Sequence, residues 1–180
     1  MGHPYQEHYT IEDYRQWQGD WELIHGMPYA MTPSLGATHQ RCVTLLAREL
    51  LDGLEKSPEC AEECTALVEM DWEIGSDTVI RPDLLVTCQP HDERITRTPE
   101  LVIEVVSASS GKRDEHIKFE LYAQQGVSWY LLVYPDQQLT RVFRNESGRF
   151  VKHADVGKEA IEIPLEACHL SLDFGRVWKD

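Results

Sequence analysis

Three polar residues stand where apolar or helical patterning leaves them something to do. Glu104 lies in the middle of Leu101-Val102-Ile103-Glu104-Val105-Val106-Ser107, a run apolar on both faces. Such a run reads as a central strand covered on both sides of a sheet. A carboxylate buried there without a partner is costly, so it needs a metal, a cation or a proton. Upstream, Arg81-Pro82-Asp83-Leu84-Leu85-Val86 is a second strand signal with an acid at its start. Downstream, Lys118 sits in a helical pattern and falls within its apolar arc at about 100° per residue. Two carboxylates and a cation suit metal-dependent phosphodiester hydrolysis. A metal neutralises the phosphate and lowers the pKa of a bound water. Mg²⁺ typically takes one or two carboxylates plus waters and substrate. A cation then stabilises charge developing on the phosphoryl oxygens. Asp83 and Glu104 are the expected metal ligands if their strands are neighbours, the Val105 carbonyl can add a third, and Lys118 supplies the cation.

The elements that must position these groups can be read in order. Thr10 to Trp17 opens like a capping box and spaces Ile11, Tyr14 and Trp17 three apart, which predicts a short amphipathic helix. Residues 21–31 predict a hairpin turning at His25-Gly26. From 38 to 55 the period is helical, with Val43, Leu46, Ala47, Leu50 and Leu54 on one face and His39 at its N-terminal end. Residues 64–74 and 79–88 predict two strands joined through Gly75-Ser76-Asp77, and 89–98 a polar loop. After the central strand, Ser107 to Gly111 is a break. A helix is expected from Lys112 to Gln125, capped by Gly126, with Ile117, Leu121 and Tyr122 on its apolar face. Residues 128–135 form another apolar strand, so strand, helix and strand make a βαβ crossover with parallel strands. Residues 138–152 and 159–163 add antiparallel strands, and 170–180 reads as a tail. The prediction is an α/β (α+β) fold with a mixed central sheet flanked by helices, in one domain spanning 1–180.

Composition narrows the function classes. Of 180 residues, 42% are hydrophobic and 27% charged, ordinary for a globular protein. No apolar run approaches the roughly 20 residues of a membrane helix, and the N-terminus resembles neither a secretory signal nor a myristoylation motif. The five cysteines, Cys42, Cys60, Cys64, Cys88 and Cys168, are odd in number and scattered. They suggest no disulfide framework, hence a reduced cytoplasmic protein. Cys60 and Cys64 have a spacing within the loose range of zinc ligands, but no second Cys/His pair follows, so they read as ordinary small buried residues. The net charge of −14 argues against a broad basic surface that grips nucleic acid, while leaving room for a local basic strip and metals.

The ordered set of Trp21-Glu22-Leu23-Ile24-His25-Gly26, His39, Arg81-Pro82-Asp83-Leu84, Leu101 to Ser107 and Lys118 to Val127 resembles the Uma-type, restriction-endonuclease-like family of the PD-(D/E)XK nuclease superfamily, over nearly the whole chain. The resemblance implies a Mg²⁺- or Mn²⁺-dependent endonuclease acting on nucleic acid, in the first place DNA, and a homodimer. It places Asp83 and Glu104 at the metal, and His39 and Glu22 as groups that orient or extend the site. The superfamily's usual Lys, two residues after the Glu, is Val106 here. The resemblance implies that its role has passed to Lys118. His25 stands where the family more often has an acid.

Each residue also has a plainer reading. Asp83 can be a strand-start residue. Lys118 can reach out along its helix to Asp114. His39 can be a hydrogen-bonded core histidine, and Glu22 a solvent-facing hairpin residue. Trp129, Tyr130 and Tyr134 read as core, and Lys112-Arg113 as a solvated helix start. Two rival functions follow: a non-catalytic module of the same fold that binds nucleic acid or protein, and a carboxylate-pair hydrolase such as a glycosidase. The second leaves a core-facing Lys118 without work.

Overall fold

The computed structural model describes residues 7–31, 36–106 and 113–178. Thr10 opens α1 (Ile11–Tyr14) with the capping box read from the sequence: Asp13 N donates to its hydroxyl at 3.3 Å, and Asp13 Oδ2 accepts from Thr10 N at 2.8 Å. β1 (Trp21–Ile24) and β2 (Met27–Ala30) form the expected hairpin. Its turn residues His25 and Gly26 both have positive φ, 51° and 74°, as a two-residue hairpin turn requires. α2 (Ala37–Lys56) buries His39, Val43, Leu46, Leu50 and Leu54 along one face. Pro58, whose missing N–H costs nothing in a first helical turn, starts a short α3 (Pro58–Glu63) that the sequence reading did not anticipate.

Residues 64–74 and 79–88, each expected to be one strand, are each two. They give β3 (Thr65–Val68), β4 (Trp72–Ile74), β5 (Thr78–Ile80) and β6 (Leu84–Thr87). The breaks have local causes. Glu69 takes φ 48°, and Pro82 has no N–H to offer a ladder. β7 (Leu101–Val105) follows the polar loop. The expected helix after it begins as a π-helical turn, Arg113–Lys118, which runs into α4 (Phe119–Gln124); Lys112, Asp114's side chain and Arg113's side chain lie outside the described residues. The wider turn changes the angular phase. Ile117, expected inside, is exposed, whereas Lys118 is buried. β8 (Trp129–Tyr134), β9 (Leu139–Glu146), β10 (Arg149–Val156) and β11 (Ala160–Pro164) follow. The supposed tail instead forms β12 (His169–Asp173), paired with β11, and α5 (Phe174–Val177). Its Leu170, Leu172 and Phe174 complete the core under α2.

The main sheet has six strands in the order β10-β9-β8-β7-β6-β3. β7 pairs parallel with β8 and antiparallel with β6, so it is interior and the sheet is mixed, as expected. Side chains alternate across a strand, and here the alternation sorts two cores. Leu101, Ile103 and Val105 face α2 with Val43, Leu46 and Leu50. Val102 faces the opposite layer with Leu85, Tyr122, Tyr130 and Leu132. Glu104 shares the side of Val102. A second sheet, β2-β1-β5-β4, stands beside this layer and places β1 near the start of β6. Trp129, Tyr130 and Tyr134 are all buried core residues. No helix among the described residues is long and apolar enough to cross a membrane.

The expectation of unpaired cysteines is overturned. Cys60 pairs with Cys168 and Cys64 with Cys88, leaving Cys42 as the free thiol. The partners are 108 and 24 residues apart, so only the tertiary fold brings them together. A cytoplasmic location argued from unpaired cysteines thereby loses that support.

Candidate functional site

Five elements converge at the start of β6. Pro82 ends the small-sheet path, and Asp83 enters just before β6. There Asp83 Oδ2 accepts from Val105 N at 2.7 Å and lies 3.2 Å from His39 Nε2. Asp83 N donates to Glu104 Oε2 at 3.4 Å. The β6–β7 ladder stops at Leu84 opposite Ile103, so Asp83 occupies the place a further strand residue would take beside β7. A strand residue's N–H and C=O point to the same side. Val105, whose N–H reaches Asp83, therefore turns its carbonyl toward the same place. His39 responds to that carbonyl as well as to Asp83. Burial opposes its protonation, but the bond to Asp83, the charges of Asp83 and Glu69 and the Val105 carbonyl outweigh it and hold the imidazole above its ordinary pKa.

Behind this pair lies a buried cation. Lys118 Nζ is 2.8 Å from Glu22 Oε1 and 2.9 Å from Glu104 Oε1, and it donates to the Arg81 carbonyl at 3.5 Å. Glu22, Glu104 and Lys118 are all buried, at 1%, 2% and 4% exposure. Charges so removed from water persist only when paired and further hydrogen-bonded. Each of these is. Glu22 Oε1 also accepts from Arg81 N at 3.0 Å, and Glu104 Oε1 from the Tyr122 hydroxyl at 2.7 Å. Burial, reinforced by the negative charge of Glu104, raises the Tyr122 phenol well above its ordinary pKa, so it stays a donor. Burial, with the charge of Asp83, pushes the Cys42 thiol up to about 12. It is no nucleophile at neutral pH.

All five residues singled out from the sequence are thus brought together: Glu22 from β1, His39 from α2, Asp83 from the start of β6, Glu104 from β7 and Lys118 from the π-helical turn. The plainer readings of Glu22 as solvent-facing and of Lys118 as reaching outward do not hold, since the two are buried against each other. Tyr122 and the Arg81 backbone were missed. Tyr122 read as a plain apolar-face residue, yet a buried tyrosine needs a partner for its hydroxyl, and it lies one turn beyond Lys118. His25 only turns the hairpin, its N–H donating to the Thr78 hydroxyl.

Among the described residues, no group of three or more His, Cys, Asp or Glu side chains forms a metal cage. Two carboxylates and a carbonyl fall below that count, but they match what a hard cation asks of a protein when waters and substrate complete its shell. Glu104 Oε1 is occupied by Lys118 and Tyr122, so its Oε2, on the Asp83 side, is the atom suited to a metal.

The chain matches the Uma2 family model, described as "Putative restriction endonuclease", over residues 11–174. No curated protein matches it. Among solved structures, it resembles one titled as a "putative nuclease belonging to DUF820" from Anabaena variabilis ATCC 29413, with a TM-score of 0.73 at 15% identity, covering 94% of this chain and 97% of that one. At that identity the likeness speaks for the fold. With the family match spanning most of its length, the chain belongs to the Uma2 family of restriction-endonuclease-like nucleases.

Proposed function

We propose that the chain is a metal-dependent endonuclease that hydrolyses phosphodiester bonds in DNA, acting as one domain over residues 1–180, as a homodimer and in the cytoplasm. The observation that carries this reading is the placing of Asp83 and Glu104 side by side at the end of the β6–β7 ladder, with a buried lysine behind Glu104. Asp83, Glu104 Oε2 and the Val105 carbonyl would hold Mg²⁺ or Mn²⁺. Such a metal supplies Lewis acidity and an ionised water at neutral pH.

The chain's own residues do the rest. Lys118 fixes Glu104 by its ion pair, with Nζ 2.9 Å from Oε1. Glu22 holds Lys118 from the other side, and Tyr122 locks the rotamer of Glu104. His39, protonated more readily than a free histidine, steadies Asp83. Lys118 contacts carboxylates and a carbonyl, so its work on phosphate oxygens runs through Glu104 unless substrate draws it forward.

Nicking of supercoiled plasmid DNA tests the proposal. Mg²⁺ or Mn²⁺ should support it, a chelator should stop it, and Asp83→Asn and Glu104→Gln should each abolish it. The rival reading, a non-catalytic module that binds nucleic acid or protein, is favoured by the −14 charge and by the enclosure of Lys118 between two carboxylates. Failure of either metal to support cleavage by a folded chain would leave that module standing. Light scattering that gave a monomer at working concentration would remove the dimer.

A further inference from the structure

Two disulfides meet at one point, and solvent reaches them unequally. Cys60 lies in α3, Cys64 at its C-terminal cap, Cys88 just after β6 and Cys168 just before β12. Cys60 is bonded to Cys168 and Cys64 to Cys88. The register of β3 on β6 pairs Thr65 with Thr87, which sets Cys64 opposite Cys88. The β11–β12 hairpin closes at Pro164 and His169, which delivers Cys168. Cys60 is 0% exposed and Cys64 and Cys168 are each 8% exposed, whereas Cys88 is half-buried. The two bonds touch: Cys64 Sγ lies 3.9 Å from Cys168 Sγ. Cys60 Sγ in turn lies 3.6 Å from the His169 carbonyl oxygen.

We propose that this cluster is a thiol–disulfide exchange site: a small thiol of the glutathione class enters at Cys88, and Cys64 then opens the inner bond from within. Exchange needs a thiolate in contact with a disulfide sulfur. Of the four sulfurs, Cys88 is the one on the least buried residue, so the external thiolate attacks there. A bond to Cys88 forms, the Cys64–Cys88 bond breaks, and its electron pair stays on Cys64. That thiolate already lies against Cys168. Its attack forms Cys64–Cys168 and breaks Cys60–Cys168. Cys60 leaves with the electron pair and takes up the proton that the small thiol lost. As a thiol it can donate to the His169 carbonyl. A second small thiol attacks the sulfur of the first, leaves with it as a disulfide and returns Cys88 as a thiol. Two small thiols have then become one disulfide, and the chain has gained two electrons and two protons. α3 keeps a bridge to the start of β12, now from Cys64, while the end of β6 is released from it. Asp83 and Glu104 take no part, and the exchange does not rest on the nuclease reading.

The test treats the full, folded chain with reduced glutathione, quenches in acid, alkylates the free thiols and maps the bridges by mass spectrometry. Cleavage after Glu62 and Glu63 separates Cys60 from Cys64, so their bridges are told apart. In the wild type, the chain that has gained two electrons should hold Cys64–Cys168 in at least about a tenth of molecules, with Cys60 and Cys88 alkylated. Cys64→Ser keeps Cys60–Cys168 but removes the group that opens it, so glutathione should open that bond at least about tenfold more slowly than in the wild type. A smaller share of Cys64–Cys168 in the wild type, or a smaller difference in rate, would overturn the proposal. The first measurement needs no variant, so it decides alone if Cys64→Ser fails to fold. Neither readout depends on nuclease activity, so this site and the Asp83–Glu104 site can fail separately.

Discussion

Lys118 is the residue on which the others depend. It stands between two carboxylates, each within 3 Å and each nearly out of water. Lys118→Ala leaves Glu22 and Glu104 facing one another without their cation, and removing one partner of a buried ion pair costs about 3–5 kcal/mol. The unfolding midpoint in urea should fall accordingly, and a variant as stable as the wild type would show the lysine to be dispensable to folding. Asp83→Asn differs in kind. Its side-chain oxygen can still accept from Val105 N, and one negative charge beside Glu104 is gone. The metal-free stability should change little. In the wild type, divalent metal at 100 times its dissociation constant should add about 2.7 kcal/mol. That increment should vanish in Asp83→Asn. Thermal unfolding with and without Mg²⁺ reads both effects, and a metal response that survives the substitution would remove Asp83 from the ligand set. Tyr122→Phe deletes a bond to a charged group, about 1.5–3 kcal/mol, without touching the metal side. At this scale the sequence was informative where a polar residue broke an apolar pattern. Glu104 in β7 is the clear case. Glu22 was ambiguous because alternation in a short hairpin does not say which face is covered. Tyr122 was missed because its ring satisfies an apolar pattern while its hydroxyl does the work.

Between elements, backbone approach decides more than side-chain pattern. α2 crosses β12 so closely that Gly53 has no room for a methyl: a Cβ there would lie 2.6 Å from the Ser171 carbonyl and 2.7 Å from a Leu170 methyl. In an exposed helix, Gly→Ala gains up to about 1 kcal/mol. Gly53→Ala should instead lose about 1–3 kcal/mol through overpacking. A raised melting temperature would show that helix and hairpin can slide apart. The sequence reading passed over Gly53, and only β12 explains it, an element hidden in what read as a tail. Residues 64–88 mark the same limit. Their apolar content was legible, but Glu69 and Pro82 cut them into pieces that serve two sheets. That division builds the candidate site, because Glu22 and the Arg81 carbonyl approach Lys118 from the small-sheet side while Glu104 approaches from the large sheet. The π-helical turn is the third case. Lys118 was placed inward for the right reason, the apolar arc, but Ile117 was misplaced because a wider turn breaks the 100° step.

For the molecule as a whole, charge sets the terms on which a polyanion could approach. The chain carries −14, so bare electrostatics repels DNA. A groove of about 440 Å³ beside the site holds Arg15, Arg81 and Arg94 with Tyr14, Trp17 and Trp21. It adjoins the site through Arg81, whose backbone carbonyl accepts from Lys118 while its guanidinium reaches into the groove. Those arginines are already engaged. Arg15 and Arg94 both pair with Glu73, at 2.8 and 2.7 Å, and Arg81 pairs with Asp71 and Asp20. If this groove is the DNA path, Glu73 restrains it, and a metal at Asp83 and Glu104 is needed to turn the local field. Two measurements follow from fluorescence anisotropy with a short duplex. In chelator, binding should be weak, and Ca²⁺, which can hold substrate without supporting cleavage, should tighten it tenfold or more. Glu73→Gln frees two guanidinium groups for phosphates, so it should tighten binding further. Each added phosphate contact steepens the slope of log K against log salt by about 0.9. One or two such steps are expected. Arg15 and Arg94 are about half-exposed, which keeps their pairs with Glu73 weak, so the variant should fold as the wild type does. An affinity and a slope that ignore Glu73 would move the DNA path elsewhere on the surface while leaving the Asp83–Glu104 site untouched.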